Sequence, residues 1–174
     1  NDADRDIDRL LFSSLIQFDS RGVPRADLAE SWGVSADGMI YNFTLRPNAT
    51  WHDGTPVTTD DVIFTLSLVR SQFSSYPDDV RAMWDLVEIT QLDEKNIKFV
   101  LPEPFAPFLD YLTFGVLPKH LLETVPADQI INNDFNLAPI GSGPYRFEEL
   151  TVADGEITGV VLSRNENYFG QAAY

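Results

Sequence analysis

Residues able to do chemistry are few here and poorly spaced for it. His52 and His120 are the only histidines among the 174 residues and cysteine is absent, so neither a His-rich metal site, a thiolate zinc site nor a Cys nucleophile can form within the chain. His52 stands beside Asp53, a pairing that suits a turn better than a ligand or a base. Gly141-Ser142-Gly143 sets a serine between glycines, but the hydrolase elbow carries its glycines two positions either side of the nucleophile. Those places hold Ile140 and Pro144. Asp60-Asp61 and Asp78-Asp79 are adjacent pairs; neighbours on a helix point about 100° apart, which is poor geometry for carboxylates sharing a substrate and good placement for helix starts. The phrase Asn132-Asn133-Asp134-Phe135-Asn136 lacks the glycine and distal glutamate of a calcium loop. The residues therefore point away from an enzyme, and no metal or cofactor is expected.

What remains is surface and shape. The formal charge of -15 would repel a phosphate backbone, so nucleic acid is excluded as a partner. Twelve Phe, six Tyr and three Trp give flat apolar surface, most of it for a core and a few rings, at loops, for a ligand. Hydrophobic residues at 44% and charged residues at 22% are the shares of a globular domain. The longest apolar runs, such as 114–117, fall far short of the roughly 20 residues a membrane-spanning helix needs.

The elements that must position these residues come in mixed order. Ile7, Leu10, Leu11, Ser14 and Leu15 follow helical spacing and predict a helix over 7–16, with a turn at 18–22 leaving a short strand. Alternation of Tyr41, Phe43 and Leu45 against Ile40, Asn42 and Thr44 predicts a strand with one buried aromatic face. It is joined to Trp32-Gly33-Val34-Ser35 as a hairpin through Asp37-Gly38. Thr58 or Thr59 caps a helix over 59–70, with Phe64 and Leu68 towards the core. Segments 87–92 and 96–101 form a second hairpin with Ile97, Phe99 and Leu101 on one face. Pro118 opens a short helix over 119–123, and 145–151 with 157–164 form a third hairpin around Asp154-Gly155. Hairpins with interspersed short helices are an α+β pattern, without the regular alternation of a parallel sheet.

One ordered series of short phrases goes further. Ala26-Asp27-Leu28-Ala29-Glu30-Ser31-Trp32, Asp37-Gly38, Tyr41, Phe43, Leu45-Arg46, Trp51-His52-Asp53-Gly54-Thr55-Pro56 and Asp61-Val62 resemble the text of bacterial solute-binding proteins of family 5. Leu117-Pro118-Lys119-His120 is similar to that family's I-P-K-H segment. Pro139-Ile140-Gly141-Ser142-Gly143-Pro144-Tyr145 is similar to its P-x-G-T-G-P-Y loop, and Asn165-Glu166-Asn167-Tyr168-Phe169 to its N-P-x-Y-W. Two positions depart: His52 stands where relatives commonly carry another polar residue, and Glu166 replaces the proline. The matches run in order from about Arg9 to Phe169.

The resemblance implies the fold of the N-terminal part of lobe I of a two-lobed periplasmic-binding-protein-like receptor. In that reading 23–140 is an inserted subdomain, 1–22 and 141–174 belong to the ligand-binding lobe core, and a second lobe is missing. It implies the substrate-binding component of an ABC importer, monomeric, periplasmic or a cell-surface lipoprotein, handing di- or oligopeptides to a membrane permease; nickel complexes, oligosaccharides and opines are used by other members, and a sensor or regulatory module reusing the lobe is the alternative. By position, the ligand-approaching segments of peptide-binding relatives map to Asn1 and Asp2, to Tyr76, and to Phe114 and Gly115. Gly141, Ser142 and Gly143 are a further candidate, because their glycines permit close backbone approach to a ligand or to another chain segment. The carboxylate that captures a peptide amino terminus belongs to the missing lobe.

Overall fold

The computed structural model describes residues 2–170, with side chains from Asp6 onward. Asn1 lies outside the described residues. The chain starts with α1 (Asp2–Leu11), then β1 (Ile16–Phe18) and β2 (Pro24–Ala26), an antiparallel pair. Asp2 is thus already helical. The helix stands five residues earlier than apolar spacing predicts at its start, and it stops at Leu11. Its last helical bond runs from the Phe12 amide to Asp8 at 2.8 Å. Beyond it the backbone is claimed by tertiary partners: Gly143 donates to Leu11, Val116 to Ser13, Leu28 to Ser14 and Ala29 to Leu15, all at 2.8–3.0 Å. Leu15 and Ile16 are buried as irregular and strand residues, so their apolar spacing reflects burial and not helix.

The main sheet has β3 (Ala29–Val34), β4 (Ile40–Leu45), β5 (Glu88–Gln91) and β6 (Asn96–Val100) in the order β3-β4-β6-β5, antiparallel throughout. Its buried face carries Tyr41, Phe43, Leu45, Ile97 and Phe99, the alternation expected of strands with one wet face. The turn before β4 uses Gly38 at φ 72°, a left-handed conformation that suits glycine.

Against this sheet pack α2 (Thr59–Arg70) and α3 (Asp78–Leu86). Trp84 of α3 is the hub of the core: its ring centroid lies 6.0 Å from Phe99, 5.6 Å from Phe108 and 6.2 Å from Phe114, in tilted or edge-on contacts. Such geometries favour ring pairs beyond simple burial. α2 buries Val62, Thr65, Leu66 and Val69, with Asp61, while Phe64 and Leu68 are only half-buried. The expected apolar face is therefore rotated, because Asp61 is drawn inward. Its carboxylate accepts the Thr58 amide at 2.9 Å, the Trp51 Nε1–H at 3.3 Å and the Lys119 amide at 2.9 Å.

Two 3-10 turns, Ala106–Leu112 and Ala127–Asn132, and the short α4 (Lys119–Leu122) lead through a third at Asp134–Leu137 to β7 (Tyr145–Ala153) and β8 (Glu156–Arg164). This ribbon turns through Asp154 and Gly155, both at positive φ, and packs against α1.

Replacing Asp61 by alanine removes a buried carboxylate that satisfies three donors and leaves those donors without partners. The expected loss is about 3 kcal/mol of unfolding free energy, read from urea unfolding of the full-length protein. A loss below about 1 kcal/mol would show that water replaces the carboxylate without cost.

Candidate functional site

A groove of about 1340 Å3 runs between the end of α1, the 71–76 connection, residues 113–117, the 127–139 turns and the β7–β8 ribbon. Phe12, at the end of α1, meets Phe135 from the opposite turn with ring centroids 6.3 Å apart. Ile130, Ile131, Phe73 and Leu150 extend the apolar lining, and Asp8 and Arg9 supply charge at one end. Tyr76 lines the groove and is 40% exposed. Desolvation pushes its hydroxyl pKa up, and the Asp8 carboxylate across the groove pushes it further the same way. Tyr76 therefore stays a neutral donor and acceptor near the Asp8 carboxylate.

The predicted residues divide. Tyr76, Phe114 and Gly115 are brought together around the groove. Phe114 is 8% exposed and packs on Trp84, so its ring belongs chiefly to the core. Gly115 is exposed, and a Cβ there would lie 2.9 Å from Cβ of Phe12; glycine lets this strand of the wall lie against α1.

The 141–143 loop is placed elsewhere. Ser142 is fully buried; the Ser13 amide donates to its Oγ and the Ser13 hydroxyl to its carbonyl, both at 3.4 Å. A Cβ on Gly141 would fall 1.8 Å from the Leu11 carbonyl oxygen, and one on Gly143 would fall 2.4 Å from that of Leu10. The glycines thus serve close approach of two chain segments, one of the two uses their smallness allows. Ser142 has no histidine at its hydroxyl, because the His52 ring is engaged by the neighbouring backbone: its Nδ1 accepts the Gly141 amide at 3.1 Å and its Nε2 lies 3.0 Å from the Gly143 carbonyl. His120 instead bonds Asp53 at 2.7 Å.

Behind the groove lies a buried acid. Asp27 accepts bonds from the Ser14 amide and from Gln17 Nε2, both at 2.8 Å, and from the Tyr168 hydroxyl at 3.2 Å. Burial raises its pKa, against these hydrogen bonds. The Tyr168 hydroxyl is pushed up to about 12, first by its own burial and then by the Asp27 charge. Ser14 and Gln17 line the groove, so Asp27 braces its floor. Sequence reasoning passed over Phe12, Phe73 and Phe135; their signal was aromatic residues at loops, which does not separate core from cleft.

These features describe a groove with a largely apolar lining, backed by polar side chains tied into the scaffold. Residues 23–174 match the family model described as bacterial extracellular solute-binding proteins, family 5 Middle, and the chain belongs to that family. The oligopeptide-binding protein AppA of Bacillus subtilis is 30% identical over 178 residues, covering 100% of this chain and 32% of AppA. Its structure with a nonapeptide superposes with a TM-score of 0.83 at 28% identity, over 97% of this chain and 33% of that one. Di/tripeptide-binding protein 2 of Pseudomonas aeruginosa is 36% identical over 69% of this chain and 26% of its own length. NikZ of Campylobacter jejuni, solved with Ni(L-His), gives a TM-score of 0.77 at 35% identity, over 92% of this chain and 31% of that one. The chain spans about a third of AppA's length.

Gly141→Ala forces a methyl group into the Leu11 carbonyl. It should cost about 2 kcal/mol or more of stability, measured by denaturant unfolding; a cost within about 0.5 kcal/mol would mean that the loop and α1 separate freely.

Proposed function

We propose that this chain forms one wall of the substrate-binding component of an ABC importer, a receptor that captures di- or oligopeptides outside the cytoplasmic membrane and delivers them to the permease. It is a binding protein and not an enzyme, working in the periplasm or tethered to the cell surface as a lipoprotein. The observation that carries this reading is the groove itself. Tyr76 and exposed Gly115 stand at its rim, and aromatic and aliphatic side chains line it, with Asp8 and Arg9 as its charged groups. A wall of that chemistry suits an extended chain whose backbone takes hydrogen bonds and whose side chains enter apolar pockets.

The relative named for oligopeptides and the structure holding a nonapeptide support the same choice. A nickel complex, as in NikZ, is the second reading. A groove lined largely by rings and aliphatic groups favours a peptide over a chelated cation, which seeks imidazole, carboxylate or carbonyl donors.

Within the receptor we propose that 1–22 and 141–174 form the ligand-binding lobe core and that 23–140 is inserted into it. The bonds from Gly143 to Leu11 and from Asn165 to Pro144 support this grouping. The β1–β2 pairing runs across the boundary at 23. A second lobe closing over the groove would complete the cleft by hinge motion, with Tyr76 and Gly115 facing the ligand.

Mass spectrometry of small molecules released from the full-length protein should find peptides, and calorimetry with them should give micromolar or tighter affinity. Tyr76→Ala should weaken capture about tenfold. Recovery of a nickel complex, sugar or opine alone would overturn the peptide reading, and full affinity in Tyr76→Ala would remove that residue from the site.

A further inference from the structure

We propose that His52 is a positioning residue: its neutral Nε2–H imidazole clamps the 141–143 loop onto the end of α1, and acid opens the clamp and loosens the groove wall built on α1. The inference rests on the peptide-receptor reading for its functional part and on geometry alone for the clamp. Both ring nitrogens and the main chain of His52 are committed to one loop. The His52 amide donates to the Gly141 carbonyl at 2.8 Å, and Nδ1 accepts the Gly141 amide at 3.1 Å. An accepting Nδ1 carries no proton, so Nε2 holds it and donates to the Gly143 carbonyl 3.0 Å away. Asn165 Nδ2 donates to the same carbonyl at 3.0 Å.

The loop so held lies along residues 10–13. The Gly143 amide donates to Leu11 at 2.8 Å, and Ser142 is tied to Ser13. Ser13 in turn takes the Val116 amide at 3.0 Å, and Phe12 rests on Gly115. Leu11, Phe12, Phe114 and Gly115 line the groove. A shift at His52 therefore reaches the wall through two short hydrogen-bonded steps.

Protonation puts a second N–H on the ring at Nδ1, facing the Gly141 N–H, so one bond is lost and two donors are opposed. The charged groups around the ring are Asp53 in its own loop, itself bonded to His120, and Arg146 of β7. Burial first, and the Arg146 charge with it, disfavour the imidazolium, against the pull of the Gly143 carbonyl and Asp53; the net direction is below the ordinary value of 6.5. The open state therefore takes up a proton at higher pH than the clamped one. The clamp is at full strength above the ordinary histidine range and weakens as pH falls through it towards the lower clamped value.

The test uses the full-length protein. Long-range proton–nitrogen NMR should give His52 as the Nε2–H tautomer at about pH 7.5. Exchange of the Gly141 and Gly143 amides, corrected for intrinsic rates, should then quicken about tenfold at about pH 5. His52→Gln keeps an acceptor and a donor without titrating, and should hold exchange level over that range. An Nδ1–H tautomer, or exchange that quickens equally in His52→Gln, overturns the clamp. With fluorescein-labelled nona-alanine as the probe, capture should weaken severalfold at the lower pH in the parent and not in His52→Gln. Equal acid weakening in both overturns the link to the groove. Failure to take peptide at either pH counts against the peptide reading alone, since the NMR arm needs no ligand.

Discussion

The fold depends on the carboxylate of Asp61 being buried with all its donors in place. A charged group at 4% exposure survives only where hydrogen bonds replace its water. Here they come from the Thr58 amide, the Trp51 indole and the Lys119 amide. The first closes the start of α2, the second fixes the 51–58 loop beneath it, and the third brings in α4 from far along the chain. The rotation of α2, and with it the set of side chains it offers the core, follows from this one requirement. Lys95 adds a second tie from the turn between β5 and β6, donating to the Arg46 and Val57 carbonyls at 3.3 and 2.6 Å. Its ammonium pays for that position with a pKa lowered by burial.

From this centre the short phrases that mark the family turn out to hold one another. Trp51 answers Asp61; Asp53 answers His120; His52 answers Gly141 and Gly143. Asn165 binds Gly143, and Tyr168 binds Asp27. These partners stand from 10 to 141 residues apart, yet each pair needs particular groups at particular places: a carboxylate for two or three donors, an imidazole with a nitrogen on either side, a glycine where a Cβ would strike a carbonyl. Such demands restrict residue type more than an apolar core does, where volume-conserving changes are tolerated. Much of the recognisable text therefore takes part in internal stapling, and His52, which departs from that text, joins the same network.

That explains what was legible. The β3–β4 and β5–β6 hairpins and their buried faces follow from period-two alternation and strong turn residues. The span of α2 was readable from its acidic start, and the β7–β8 ribbon from Asp154-Gly155. The helix over 7–16 was misplaced because Leu15 and Ile16 are apolar for a different reason: they enter the core as extended chain, the Leu15 carbonyl taking the Ala29 amide and Ile16 pairing with Ala26. α3 was seen only as a pair of helix-start aspartates, its single deeply buried residue being Trp84. Tyr76 and Gly115, named by position, both line the groove. The role of the 141–143 loop could not be decided from glycine spacing, since a close approach to α1 and one to a ligand demand the same residue.

The groove shows the complementary side of this division of labour. Its walls take Phe12, Phe73, Phe135 and Ile131 from connections and helix ends, whose backbones are already satisfied by turns and by the stapled loops behind them. A side chain there meets few geometric demands from the scaffold, so it can change size or polarity at the cost of its own contacts alone. A scaffold that spends its specific chemistry on holding itself together places few such demands on the groove surface. Frames similar to this one hold a nonapeptide in AppA and Ni(L-His) in NikZ, as expected where the internal stapling and the groove surface answer to different demands.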